Sequence, residues 1–193
     1  MGALILAVVG CQGPLPMTTG LGAAVNPEAL PTTTAEGRAV PRGSKGTVYY
    51  FAGPECPMAR AYAPDVARLV ETDRARGIEW VMAFPEEDIT VEMATKFSRD
   101  YSLPLPLIVA GSTELCCELG VKSFPSVVVI DARDRLVYRG RIDNRYRALG
   151  TTFGPPSERD LQAVTDALAG GNAIAPRETI AIGCVLAPCP TDP

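Results

Sequence analysis

The residues of this chain that could do chemistry are its thiols. Six cysteines occur, Cys11, Cys56, Cys116, Cys117, Cys184 and Cys189, and there is no histidine. Without imidazole there is no Ser-His-Asp or Cys-His relay, no imidazole acid/base step and none of the usual histidine ligands of zinc or copper. No two cysteines form a C-x2-C pair, so a zinc ribbon has no support. No metal and no organic cofactor is expected. What remains is thiol and disulfide chemistry, or no chemistry at all.

Cys56 has the most informative setting. It follows the breaker Gly53-Pro54-Glu55 and precedes Pro57, a residue suited to the first turn of a helix. Backbone N–H groups and the helix dipole favour a thiolate at such a position. Arg60, one turn on, would add to this effect, and Glu55 would oppose it. A thiolate that attacks a disulfide needs a second thiol to release the mixed disulfide. Cys184, in a tail rich in Gly, Ala and Pro, is the first candidate for that role; Cys116 or Cys117 is the second. Neighbours on a helix point in different directions, so one of Cys116 and Cys117 belongs in the core. Cys184 and Cys189 could instead close a small loop with each other.

The elements that must position these thiols follow from periodicity. Residues 47–52 (Thr-Val-Tyr-Tyr-Phe-Ala) read as a buried strand. From Pro57 to about Glu71, Met58, Tyr62, Val66, Leu69 and Val70 recur at helical spacing. A second strand spans 78–83, and a helix introduced by Pro85 and Asp88 carries Ile89, Met93, Phe97 and Tyr101 on one face. Residues 105–110 are extended, and 113–119 form a short helix stopped by Gly120. After Phe124-Pro125 comes a strand at 126–130, a tight turn and a strand at 136–140. A last helix follows Pro155-Pro156, with Leu161, Val164 and Leu168 as its stripe and Gly170-Gly171 as its stop. Alternating strands and helices closed by a hairpin predict an α/β domain whose mixed central sheet is flanked by helices on both faces. Trp80 and the methionines sit at core spacing. Glu86-Glu87-Asp88 reads as a solvated helix start. Asp143 and Arg145 could pair to anchor the tail, although facing solvent is the simpler expectation.

Four segments are expected along the 193 residues. Residues 1–11 are a short apolar run ending in Val9-Gly10-Cys11, similar to a bacterial lipobox, in which the cysteine sulfur is acylated after cleavage. The run is shorter than the roughly 20 apolar residues of a membrane-spanning helix. Residues 12–45, with scattered prolines and Thr32-Thr33-Thr34, read as a flexible tether. Residues 46–170 form the domain, and 171–193 a C-terminal extension with Cys184 and Cys189. If Cys11 carries lipid, five thiols remain, and an odd count leaves at least one unpaired within the chain. The net charge of −4 provides no basic footprint, which argues against nucleic acid as a partner.

Phe51-Ala-Gly-Pro-Glu-Cys56-Pro-Met-Ala59 resembles the strand, loop and active-site helix of the thioredoxin superfamily. Val121-Lys-Ser-Phe-Pro125-Ser-Val-Val-Val-Ile-Asp131 resembles its cis-proline loop and the strand that follows. The region 138–146, Pro155-Pro156 and Glu178-Thr-Ile-Ala-Ile-Gly-Cys184 is similar to the redoxin or peroxiredoxin-like (AhpC/TSA-related) group of exported bacterial proteins. The resemblance implies a thioredoxin-like fold, a cis Pro125, and a substrate-contacting surface of Phe124, Pro125 and Pro57 around Cys56. Two departures matter. Ala59 stands where a dithiol oxidoreductase has its second cysteine. The peroxidase pattern Pro-x-x-x-Thr-x-x-Cys fits neither from position 59 (Ala52, Cys56) nor from Cys56 (Tyr49, Gly53).

These readings lead to an envelope thiol–disulfide oxidoreductase-like protein acting through Cys56. It would be exported and anchored to the membrane at Cys11, facing the periplasm or cell exterior. Its partners would be protein thiols or disulfides of the envelope and an electron donor that the residues do not identify. The alternatives are a redox-inert thioredoxin-fold binding module and an atypical thiol peroxidase, in which Cys56 would become a sulfenic acid.

Overall fold

In the computed structural model, which describes residues 19–152 and 154–189, strand β1 (Gly46–Phe51) is buried at all six positions. A strand covered on both faces shows a continuous apolar run rather than alternation. It lies between β2 (Ile78–Ala83), parallel to it, and β5 (Ser126–Asp131), antiparallel to it. β3 (Leu107–Ile108) extends the sheet beyond β2, and β6 (Leu136–Gly140) and β9 (Arg177–Glu178) extend it beyond β5. Two short pairs stand apart: β4 (Ser123–Phe124) with β10 (Cys184–Val185), and β7 (Tyr146–Ala148) with β8 (Thr151–Thr152). Helices α1 (Pro57–Arg74), α2 (Val91–Asp100), α3 (Ser112–Leu119) and α4 (Asp160–Ala169) flank the sheet, giving the α/β architecture that the alternation of elements predicts.

The core forms around Trp80, Tyr50, Tyr138, Phe51 and Phe84, all fully buried. Burying a large apolar side chain contributes roughly 1.5–3 kcal/mol. Trp80 also needs a partner for its indole N–H, which donates to Asp73 Oδ2 at 3.0 Å. Asp73 is itself buried and accepts from Arg76 at 2.5 Å, so its charge is compensated.

Several expectations need correction. α2 starts at Val91 because Thr90 caps it, accepting from the Met93 N–H at 3.2 Å. Glu86-Glu87-Asp88 therefore precedes the helix rather than forming its first turn. The described part of the expected tether, 19–45, does not hang free. Val25 and Leu30 are buried, Thr19 Oγ donates to Glu118 at 2.5 Å, and the Ala35 N–H donates to Leu107 O at 2.7 Å. Its prolines prevent a periodic pattern but do not prevent packing. The extension is likewise woven into the fold, since β9 joins the main sheet beside β6.

Asp143 is buried rather than solvent-facing. It accepts from Tyr62 Oη at 2.8 Å and pairs with Arg145 at 2.6 Å, while Arg145 also reaches Asp65 at 2.6 Å. The pair ties the segment after β6 to α1, not to the tail. Burial and the Asp143 contact push the Tyr62 phenol up, so it remains a donor.

Candidate active site

The topology places the two segments around Cys56 together. β5 runs antiparallel to β1 with Ser126 opposite Phe51, so the loop leaving β1 and the loop entering β5 meet at one end of the sheet. Gly53-Pro54 turns the first of these, closed by the Cys56 N–H donating to Gly53 O at 3.1 Å. Cys56 becomes the N-cap of α1 with Pro57 at the first helical position, and its side chain makes no capping bond. The sulfur is thereby not used in capping and lies at a helix N-terminus, where the dipole favours negative charge. The Phe124–Pro125 peptide is cis, as the resemblance implies, and Phe124 O lies 3.9 Å from Cys56 Sγ. Phe124 is buried and Pro57 is exposed beside the cysteine.

The third component comes from the tail. β10 pairs antiparallel with β4, with Cys184 opposite Phe124. This register places Cys184 Sγ 3.2 Å from Cys56 Sγ, to which it donates. Burial, the hydrogen bond to Cys56, the charge on Cys56 and the Glu86 carboxylate push the Cys184 thiol up to about 11. Cys184 therefore holds its proton near neutral pH. A disulfide S–S bond is about 2.05 Å, so joining these sulfurs requires an approach of about 1 Å.

The remaining cysteines take other places. Cys116 is buried, and desolvation pushes its thiol up to about 12. Cys117, its neighbour on α3, is bonded to Cys189 with Cα atoms 5.6 Å apart, inside the usual disulfide range. Both readings that used these residues change. Cys117 offers no thiol while that bridge stands, and the Cys184–Cys189 loop does not form. The extended tail turns Cys184 toward Cys56 and carries Cys189 on to α3.

Two charged residues also differ from expectation. Arg60 donates to Pro54 O at 2.6 Å and pairs with Glu55 at 2.8 Å, so it braces its own loop instead of approaching the sulfur. Glu86 belongs to the site and was not legible as such. Its Oε2 is buried with no hydrogen-bond partner among the described residues, and burial, then Asp88 and Glu55, push its carboxyl up. A Cβ on Gly53 would overlap both the Glu86 carboxylate and the Phe124 ring, which measures how closely the three residues meet. The one available signal was position: an acidic run directly after a strand that pairs with β1. Glu86, Cys116, Cys117, Phe124, Cys184 and Cys189 line a cleft of about 350 Å³ under the tail.

No family model and no curated protein matches the sequence. Solved structures do match the fold. An uncharacterized conserved protein from Geobacillus kaustophilus superposes with a TM-score of 0.75 at 20% identity, over 91% of this chain and 95% of its own. The thioredoxin domain of a thiol-disulfide oxidoreductase from Bacteroides vulgatus gives 0.57 at 11% identity, over 78% and 99%. A secreted disulfide oxidoreductase of Mycobacterium tuberculosis gives 0.51 at 16% identity, over 75% and 99%. Its strand order, its cis-proline loop and these superpositions give the chain a thioredoxin-like fold.

Proposed function

We propose that this protein is a thiol–disulfide oxidoreductase in which Cys56 is the nucleophile and Cys184 the resolving thiol. The observation that carries the reading is the 3.2 Å separation of the two sulfurs, with Cys184 as donor. It favours redox chemistry over an inert binding module, because two thiols at near-bonding distance have no role in docking alone.

In the first step the Cys56 thiolate attacks one sulfur of a substrate disulfide. A Cys56–substrate bond forms, the substrate bond breaks, and the leaving thiolate takes a proton. In the second, Cys184 attacks Cys56 Sγ, the Cys56–Cys184 disulfide forms, and the released substrate thiolate takes the proton that Cys184 gives up. The substrate gains two electrons and the protein loses two. A dithiol partner protein then returns it to the reduced state. Cys184 keeps its proton until that second step, because burial and the neighbouring charges disfavour its thiolate. Phe124, Pro125 and Pro57 frame the approach to Cys56.

The setting we propose is outside the cytoplasm, with protein disulfides and thiols of the cell envelope as substrates. The Cys117–Cys189 bridge supports this, since such bonds persist in oxidising compartments. An anchor through acylated Cys11 rests on Val9-Gly10-Cys11, which lies outside the described residues.

The test is turnover of a self-quenched fluorescent peptide disulfide, with a small dithiol recycling the protein. The native protein turns over and Cys56→Ser falls to background; in a single turnover with the dithiol left out, Cys184→Ser is trapped as a Cys56–peptide adduct. Turnover by Cys56→Ser at the native rate contradicts the proposal.

A further inference from the structure

The segment that carries Cys184 is pinned at both ends. Upstream, Arg139 holds Glu178 through two parallel contacts of 2.9 and 3.0 Å. Thr179 Oγ shares a hydrogen bond of 2.6 Å with Tyr138 and accepts from the Arg141 N–H at 3.1 Å. Downstream, Cys189 is bonded to Cys117 on α3. Between the pins Ile182 and Leu186 pack half-buried against the core, and the rest of the non-covalent hold is slight. β10 is two residues long, and Ile180 and Val185 are 80% and 84% exposed. The Leu186 N–H donates to Lys122 O at 3.0 Å, and Ser123 Oγ donates to Ala181 O at 2.9 Å. An isolated two-residue pairing is marginal in water.

The contact is nevertheless a fitted one. A Cβ on Gly183 would overlap the Phe124 carbonyl, so only glycine lets the tail lie this close to the cis-proline loop. The tail thereby covers the β4 edge beside Cys56, the backbone that an incoming extended strand would need.

We propose that the Cys117–Cys189 disulfide is a redox-controlled latch on this site. Bonded, it holds the tail on β4, delivers Cys184 to Cys56 and covers the edge. Reduced, it frees the segment after Thr179, leaving Cys56 as a lone nucleophile beside an open strand edge. The proposal rests on the pairing of Cys56 with Cys184 described above.

The opening step balances with an external dithiol. Its thiolate attacks the Sγ of Cys189, the more exposed of the two residues, and Cys117 leaves and takes a proton. The second thiol of the reductant displaces Cys189, which also takes a proton. The reductant ends as a disulfide, and the latch as two thiols. Releasing the downstream pin lowers the effective concentration of Cys184 at Cys56, and such losses are commonly on the order of tenfold or more.

The test uses the full chain, the double variant Cys117→Ala/Cys189→Ala, and Gly183→Ala with the bridge retained. Each is reduced at Cys56 and Cys184 in a glutathione buffer that leaves any bridge intact by mass. Excess oxidised glutathione is then added, and samples are acid-quenched and mapped by mass spectrometry. In the native protein the Cys56–Cys184 disulfide forms with little Cys56–glutathione adduct. In the double variant ring closure slows by about tenfold or more and the adduct accumulates; Gly183→Ala shifts the same way. A native closure rate in the double variant overturns the latch, whatever Gly183→Ala does, and leaves the oxidoreductase reading standing. Failure of the native protein to form the Cys56–Cys184 bond overturns both.

Discussion

Cys184 Sγ stands 3.2 Å from Cys56 Sγ across 128 residues of sequence, because β10 is seated on β4 with Cys184 opposite Phe124. One consequence concerns pH. Burial, Cys56 and Glu86 hold the Cys184 thiol up at about 11, so its alkylation should be slow at pH 8 and should rise with a midpoint near 11. Glu86→Gln removes one of these causes and should move the midpoint downward. Peptide-resolved alkylation across pH 7–12 measures both; a Cys184 midpoint at the ordinary thiol value of about 8.5 contradicts the assignment.

Glu86 itself should make stability pH-dependent. Its folded carboxyl is raised above the unfolded value, so through that window the native state binds more protons. Stability from this group is present below the unfolded value and lost as pH rises through the folded one. Glu86→Gln should therefore stabilise the protein at pH 7 and have less effect at pH 4. Removing a desolvated, unpartnered charge in this way is worth about 1 kcal/mol, or about 2–4 °C in Tm for a chain of this size. Thermal melts at the two pH values decide the sign.

Asp73→Ala should cost stability away from the site. It strips the partner from the Trp80 indole N–H and from Arg76, and an orphaned buried donor costs about 1–3 kcal/mol. In urea the midpoint should fall at unchanged slope. Peptide turnover measured well below the midpoint should stay at the native level.

Gly53→Ala should do the reverse. The added methyl would meet Phe124 and Glu86, and overpacking of this kind costs about 1–3 kcal/mol. Because the strain falls between the Cys56 loop and the cis-proline loop, turnover should drop more than stability does. Equal turnover in this variant would show that the close approach has no bearing on the chemistry.

Much of this site was legible from local signals. The buried run of β1, the Gly53-Pro54 breaker and Pro57 behind Cys56 are all neighbours in sequence, and each acts on its own backbone. Phe124-Pro125 was legible through its family resemblance. What could not be read depends on the path of the chain through space. Cys189 lies five residues from Cys184 but bonds to Cys117, 72 residues away, because the tail is extended along β4. Val25 and Leu30 are buried within an irregular segment that carries no period to betray packing. Asp143 is buried because Tyr62 and Asp65 on α1 meet it and Arg145, partners too distant in sequence to be inferred.

Cys56 and Cys184 are proposed to form a reversible redox pair, separate from a standing Cys117–Cys189 bridge. The direct measurement is disulfide mapping of the full chain, equilibrated in glutathione buffers of increasing oxidation, blocked with a maleimide and digested. A Cys56–Cys184 peptide should appear as the buffer becomes oxidising, together with a Cys117–Cys189 peptide and an alkylated Cys116 across the mild range. A Cys56 that remains singly alkylated at every potential, with Cys184 never joined to it, would contradict the account.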